Sequence, residues 1–202
     1  MRMIGKPSFA LAFVLALLAA ALAAAPAMAH ESAGIVGGFA SGFAHPFAGP
    51  DHVAAMVAVG LLGAFLGGRA IYLLPLLFPV AMAIGGALGF AGIALPGVEL
   101  AIAASALVLG LMIAAGRGMP LWAAGAACAF FAIFHGHAHG TELPAAADAL
   151  AYSAGFVIAT GLLHLAGISI GLSARWQTGR VAVRALGAAI AVLGVAFLTG
   201  MA

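Results

Sequence analysis

Apolar runs follow one another along this chain at 34–67, 70–92, 98–115, 120–134, 144–172 and 181–201, with only short polar or glycine- and proline-bearing punctuation between them. A helix that crosses a bilayer needs about 20 apolar residues in succession, and soluble helices have no reason to repeat that length. Charged residues make up 6% of the chain, against about 25% in an ordinary soluble domain, and the mean hydropathy is +1.25. The chain therefore reads as an all-α polytopic membrane bundle with six transmembrane helices. No stretch is long or polar enough for a separate soluble domain. The net charge of +2 rests on too few groups to signal nucleic acid. Cys128 is the single cysteine, which excludes an intrachain disulfide and a thiolate cluster.

The first residues read as an export signal. Arg2 and Lys6 are a positive start, 9–25 is an apolar stretch, and Ala27-Met28-Ala29 is a small-residue cleavage motif after Pro26. Cleavage after Ala29 makes 1–29 a signal peptide and 30–202 the mature six-helix domain, with His30 as its outer N-terminus. From that start every remaining arginine (Arg69, Arg117, Arg175, Arg180, Arg184) falls on the inner side, and the acids Glu31, Asp51, Glu99, Glu142 and Asp148 fall toward the outer ends. This is the positive-inside pattern. It predicts a multi-pass protein of the bacterial cytoplasmic (inner) membrane with both mature termini periplasmic.

The run 34–67 is too long for one straight span. Over thirty residues extend about 50 Å at 1.5 Å each, against a hydrocarbon core of about 30 Å. Pro46, Gly49 and Pro50 are expected to break it, since proline removes a donor and disfavours helix in the residue before it. Broken backbone at membrane depth survives only where protein or a wet cavity shields it. Glycines such as Gly60, Gly63, Gly85, Gly86, Gly89, Gly187 and Gly194 predict close helix packing and carry no function of their own.

Polar side chains are expensive in such a chain, so their positions carry the functional information. His45, Asp51 and His52 surround the break. Asp51 also suits an N-cap of the lower half-helix. His135, His139 and Glu142 stand at i, i+4 and i+7, which on a helix puts them on one face, whereas His137 points elsewhere. Two clusters of imidazole and carboxylate at one membrane face suit a divalent transition metal, and the lack of thiolates argues against a tight structural trap. Four further residues are weaker candidates: His30 at the mouth, Glu99 at the outer start of the third span, His137, and His164 deep in the fifth. His164 reads either as a core histidine bonded to a carbonyl or as a lower transit site. Asp148 lies near the outer interface. Phe43, Phe47 and Phe134 flank the clusters as packing.

The segments His45-Pro46-Phe47-Ala48-Gly49-Pro50-Asp51-His52 and Phe134-His135-Gly136-His137-Ala138-His139-Gly140-Thr141-Glu142 resemble the HPFxGxDH and FHGxAHGxE signatures of the HupE/UreJ family of nickel/cobalt permeases. The likeness covers essentially the whole chain. It implies uptake of Ni2+ or Co2+ for maturation of nickel or cobalt enzymes, with His45, Asp51, His52, His135, His139 and Glu142 handling the metal. The larger nickel/cobalt transporter family carries H-x4-D-H, and this chain departs from it with five residues between His45 and Asp51.

Two functions follow from the residues. The leading one is a secondary transporter that captures a divalent metal ion at a periplasm-facing site, with no permanently bound cofactor. There is no G-x4-G-K-[ST] phosphate loop. The alternative is an intramembrane zinc-dependent hydrolase, with three histidines holding zinc-bound water. More ligands than one catalytic site uses, several expected on glycine-rich turns, favour transit. Partners are the metal ion and the bilayer, with no nucleic acid, and the oligomeric state, a homo-oligomer included, stays open.

Overall fold

A computed structural model describes residues 35–116, 118–143 and 148–201. The expected signal peptide, His30 and Glu31 lie outside the described residues. Seven α-helices and a 3-10 turn make up the described chain, with no strand among the described residues. They are α1 (Ile35–Ala48), α2 (Pro50–Leu66), α3 (Ala70–Phe90), α4 (Val98–Ala115), α5 (Leu121–Thr141), α6 (Ala149–Gly171), the turn Leu172–Arg175 and α7 (Gln177–Thr199). Helices α3, α4, α5 and α7, and α6 with its turn, are each long and apolar enough to cross a membrane. The α1–α2 pair makes a sixth span if counted as one. The chain is a multi-pass, all-helical membrane protein.

Helices α1 and α2 meet at 85°. Only one residue, Gly49, leaves the helical path, in an extended conformation (φ −102°, ψ 114°). The cause is Pro50, whose ring disfavours helix in its predecessor and whose missing N–H costs nothing at the first position of α2. Pro46, expected to contribute to the break, sits inside α1 instead. Its fixed φ is helical, so α1 loses one hydrogen bond and continues to Ala48.

Helix α2 is the core. Ala55, Met56, Ala58, Val59, Leu61, Leu62 and Phe65 are buried on all sides of it, as expected of a helix that is apolar all round. Helices α1 and α6 pack against each other, α6 also packs on α2, and α3 pairs with α5 and α4 with α7. Small residues set the closest of these contacts. A side chain at Gly136 of α5 would run into the Met82 carbonyl of α3, and one at Gly85 of α3 into the Ile133 carbonyl of α5.

That pairing explains a boundary the sequence misplaced. The fourth span, expected to stop at 134, continues as α5 to Thr141. Gly136 and Gly140 are packing residues against α3 rather than turn formers, so the second histidine cluster stands on rigid helix and not on glycine-rich turns. The fifth span starts later than expected, at Ala149, where the Asp148 side chain accepts a hydrogen bond from the Ala151 N–H (2.8 Å) as N-cap. The sixth starts earlier, at Gln177. Glu99 opens α4, while the far end of that 18-residue helix receives the Arg184 Nε–H at the Ala114 carbonyl (2.8 Å). Arg184 thus lies about 25 Å from the acidic end.

Gly136→Val forces a branched side chain into the α3–α5 contact. The expected cost is about 1–3 kcal/mol, read as a lower melting temperature in detergent, while Gly125→Ala, which meets only the end of the Leu77 side chain, leaves the melting temperature unchanged.

Candidate metal site

Four imidazoles from three helices stand in series. His45, near the C-terminus of α1, meets His139 of α5 edge to face, with ring centroids 4.8 Å apart. His139 lies 4.6 Å from His52, in the first turn of α2, and His52 lies 4.7 Å from His135, one turn back along α5. The Gly49 bend makes this possible, because it turns His45 and His52, from two helices, toward the same stretch of α5. A Cβ at position 49 would stand 2.8 Å from both Asp51 Oδ1 and His52 Nδ1. Only glycine leaves that pair undisturbed.

At the outer end of the series, His45 Nε2–H donates to Glu142 Oε2 (3.2 Å), and His139 Nδ1 lies 3.9 Å from the same oxygen. Ligand atoms of His45, His139 and Glu142 all fall within 4.8 Å of one another, a spacing that can hold one metal ion. The Glu142 side chain is 54% exposed and that of His139 only 8%. The cluster therefore has one wet wall and one dry wall. Glu142 follows the last turn of α5 as its C-cap rather than continuing the helix, which lets its carboxylate reach across to α1.

Deeper in, hydrogen bonds fix which ring nitrogens keep a lone pair. His52 Nδ1–H donates to Asp51 Oδ1 (2.9 Å), and the His52 backbone N–H donates to the same oxygen (2.8 Å). His52 Nε2 is left buried with no partner. The Ser105 hydroxyl donates to the Ile102 carbonyl (2.6 Å), so the contact between Ser105 Oγ and His135 Nε2 (3.0 Å) needs the histidine as donor. That leaves His135 Nδ1 as the bare nitrogen, again buried without a partner. Both nitrogens of His139 are unpartnered as well. A carboxylate behind His52 and a hydroxyl behind His135, with a free lone pair in front of each, is how proteins prepare histidine to ligate metal.

Several expectations are corrected. Asp51 is not the N-cap of α2. That position is Gly49, and Asp51 instead orients His52. His135 and His139 share the α5 face toward His52 as expected, but Glu142 leaves the helix as its C-cap and groups with His139 and His45 instead. His137 Nε2–H donates to the Ile93 carbonyl (2.8 Å), which ties the α3–α4 loop to α5 and keeps it off the imidazole series. Glu99 lies outside the series, in a cavity of about 230 Å3 that it lines with Asp51. Phe43, Phe47 and Phe134 are packing residues as expected: Phe43 stacks on Phe39, and Phe47 and Phe134 pack tilted against Phe43 and Phe130, while Phe156 (4.4 Å from His139) and Tyr152 (5.8 Å from His45) wall the site. Sequence reasoning passed over Ser105 and Tyr152, although Ser105 is the one hydroxyl in its span.

A bundle with its imidazoles and acids gathered at one end, and no thiolate beside them, is the architecture of a membrane metal transporter. The comparisons agree. The model of the HupE / UreJ protein family matches residues 17–197. The protein HupE of Rhizobium leguminosarum bv. viciae is 45% identical over 150 residues, which cover 74% of this chain and 78% of that one. This chain belongs to the HupE/UreJ family, a family of metal transporters. It is a transporter and not an enzyme, and the hydrolase reading falls. No solved structure matches the chain.

Asp51→Ala removes the acceptor that holds the His52 tautomer. Ni2+ affinity measured by calorimetry should fall about 10–100-fold, whereas His137→Gln, which touches only the α3–α4 loop, should leave it unchanged.

Proposed function

We propose that this protein carries Ni2+, with Co2+ as the other candidate, inward across the bacterial cytoplasmic membrane. His45, His139 and Glu142 are the first capture site, and His52 and His135 receive the ion behind it. The observation that carries the reading is the run of buried, unpartnered imidazole nitrogens behind a half-exposed carboxylate. An ion meets charge and water first, then progressively drier neutral nitrogens. Each exchange replaces one water by one nitrogen, so dehydration is spread over several small steps. Ligands of borderline softness suit Ni2+ and Co2+ alike. Moderate affinity is also what a conducting site requires, since it must release what it captures.

Asp51 acts through His52, as a positioning residue. Glu99, sharing a cavity with Asp51, supplies negative charge on the far side of the same carboxylate and draws cations toward this end. The drive is electrical. A dication gains about 4.6 kcal/mol per 100 mV of negative-inside potential, enough for a secondary transporter without a bound cofactor. The acidic end would then face the periplasm and the Arg184 end the cytoplasm, in keeping with the positive-inside pattern.

His139→Ala and Glu142→Ala should each reduce cellular 63Ni2+ accumulation to the level of cells lacking the protein, at unchanged membrane abundance. Normal uptake by His139→Ala would remove the proposal. For the leader, intact-mass measurement of the purified protein should show His30 as the first residue, and a mass that retains 1–29 would refute cleavage.

A further inference from the structure

The imidazole series does not use all the polar atoms buried in the bundle. Tyr152, Phe156, Thr160 and His164 recur at every fourth residue of α6 and therefore share a face. Thr160 is 1% exposed and His164 2%. Thr160 Oγ1 and His164 Nε2 have no hydrogen-bond partner. A cavity of about 320 Å3 between α3, α5 and α6 is lined by His139, Tyr152, Phe156 and Thr160 together, so it joins the capture site to the turn above His164.

His164 also faces a helix that carries two prolines. Pro75 and Pro79 both lie inside α3. Pro79 has no N–H, so the Pro75 carbonyl has no helical donor four residues on. The freed Pro75 carbonyl lies beside the His164 ring, and Nε2 of that ring is buried without a partner, as are His52 Nε2 and His135 Nδ1. A single ring stands between the two levels. Phe78 is fully buried, 5.7 Å from His135 on one side and 5.6 Å from His164 on the other.

We propose that His164 Nε2 and Thr160 Oγ1 form an inner station for the transported dication, separated from the outer imidazoles by the Phe78 ring. The inference rests on the transport reading above. One neutral nitrogen and one hydroxyl, completed by water, bind more weakly than a set that includes a carboxylate. The ion would thus move down a gradient of ligand strength toward release.

His164→Asn keeps a polar group near the Nδ1 position and deletes the Nε2 ligand. Thr160→Val keeps the shape and removes a hydroxyl with no partner, so its thermal stability should be equal to or above that of the parent protein. Equilibrium dialysis of the purified full chain against Ni2+ should show His164→Asn binding one fewer ion, with the remaining affinity unchanged. His139→Ala should lose the other. 63Ni2+ uptake into vesicles should fall about tenfold for His164→Asn and severalfold for Thr160→Val. Parental stoichiometry in His164→Asn, or parental uptake in a stable Thr160→Val, overturns the inner station. If His164→Asn does not fold, Thr160→Val decides the matter. Uptake by the parent protein no greater than by His139→Ala would defeat the transport reading instead, and dialysis would still judge the inner station.

Discussion

Everything at the acidic end depends on one residue leaving the helix. Gly49 takes an extended conformation between two helices that meet at 85°, and this lets consecutive elements offer His45 and His52 to a third helix. Proline supplies the force, since Pro50 excludes helix at the residue before it. Glycine supplies the space, since any Cβ there would press on the Asp51–His52 pair. A straight helix through this point would carry the two histidines seven residues apart, two turns along one side. They could not then clasp His139 between them.

The second requirement is that buried imidazoles be anchored without being consumed. An unpaired polar group in a dry bundle costs roughly 1–3 kcal/mol, and all seven unpartnered buried side-chain atoms among the described residues belong to the series or to the α6 stripe. The fold tolerates this cost because the rings it orients have a fixed partner behind them: a carboxylate for His52 and a serine hydroxyl for His135. The rest of the bundle, with its glycine contacts and all-round apolar α2, holds those partners in place.

The class of fold was legible because hydropathy is a property of each segment alone. So was the identity of the main cluster residues, because a charged or imidazole side chain in an apolar run is conspicuous wherever it points. Boundaries were less legible. The glycines of 134–142 looked like turn residues, and only the approach of α3 shows that they are packing surfaces within a continuing helix. Roles were harder still. Asp51 reads in part as a cap and Glu142 as a member of a helical face. Both readings assumed local geometry that distant partners overrule, whereas His137 does point away from the ligands as its helical position implies.

The sequence by itself determined that this chain must live in a bilayer, where it must break near Pro50, and which side chains are too costly to be there without purpose. These follow from solvation and from the sterics of proline, both of which act within a few residues. Tertiary structure alone decided which imidazoles meet, which nitrogen of each stays bare, and that Ser105, Phe78 and the Pro75 carbonyl have parts to play. Hydrogen-bond partners 30 or more residues apart are set by how helices pack, and no local pattern encodes that.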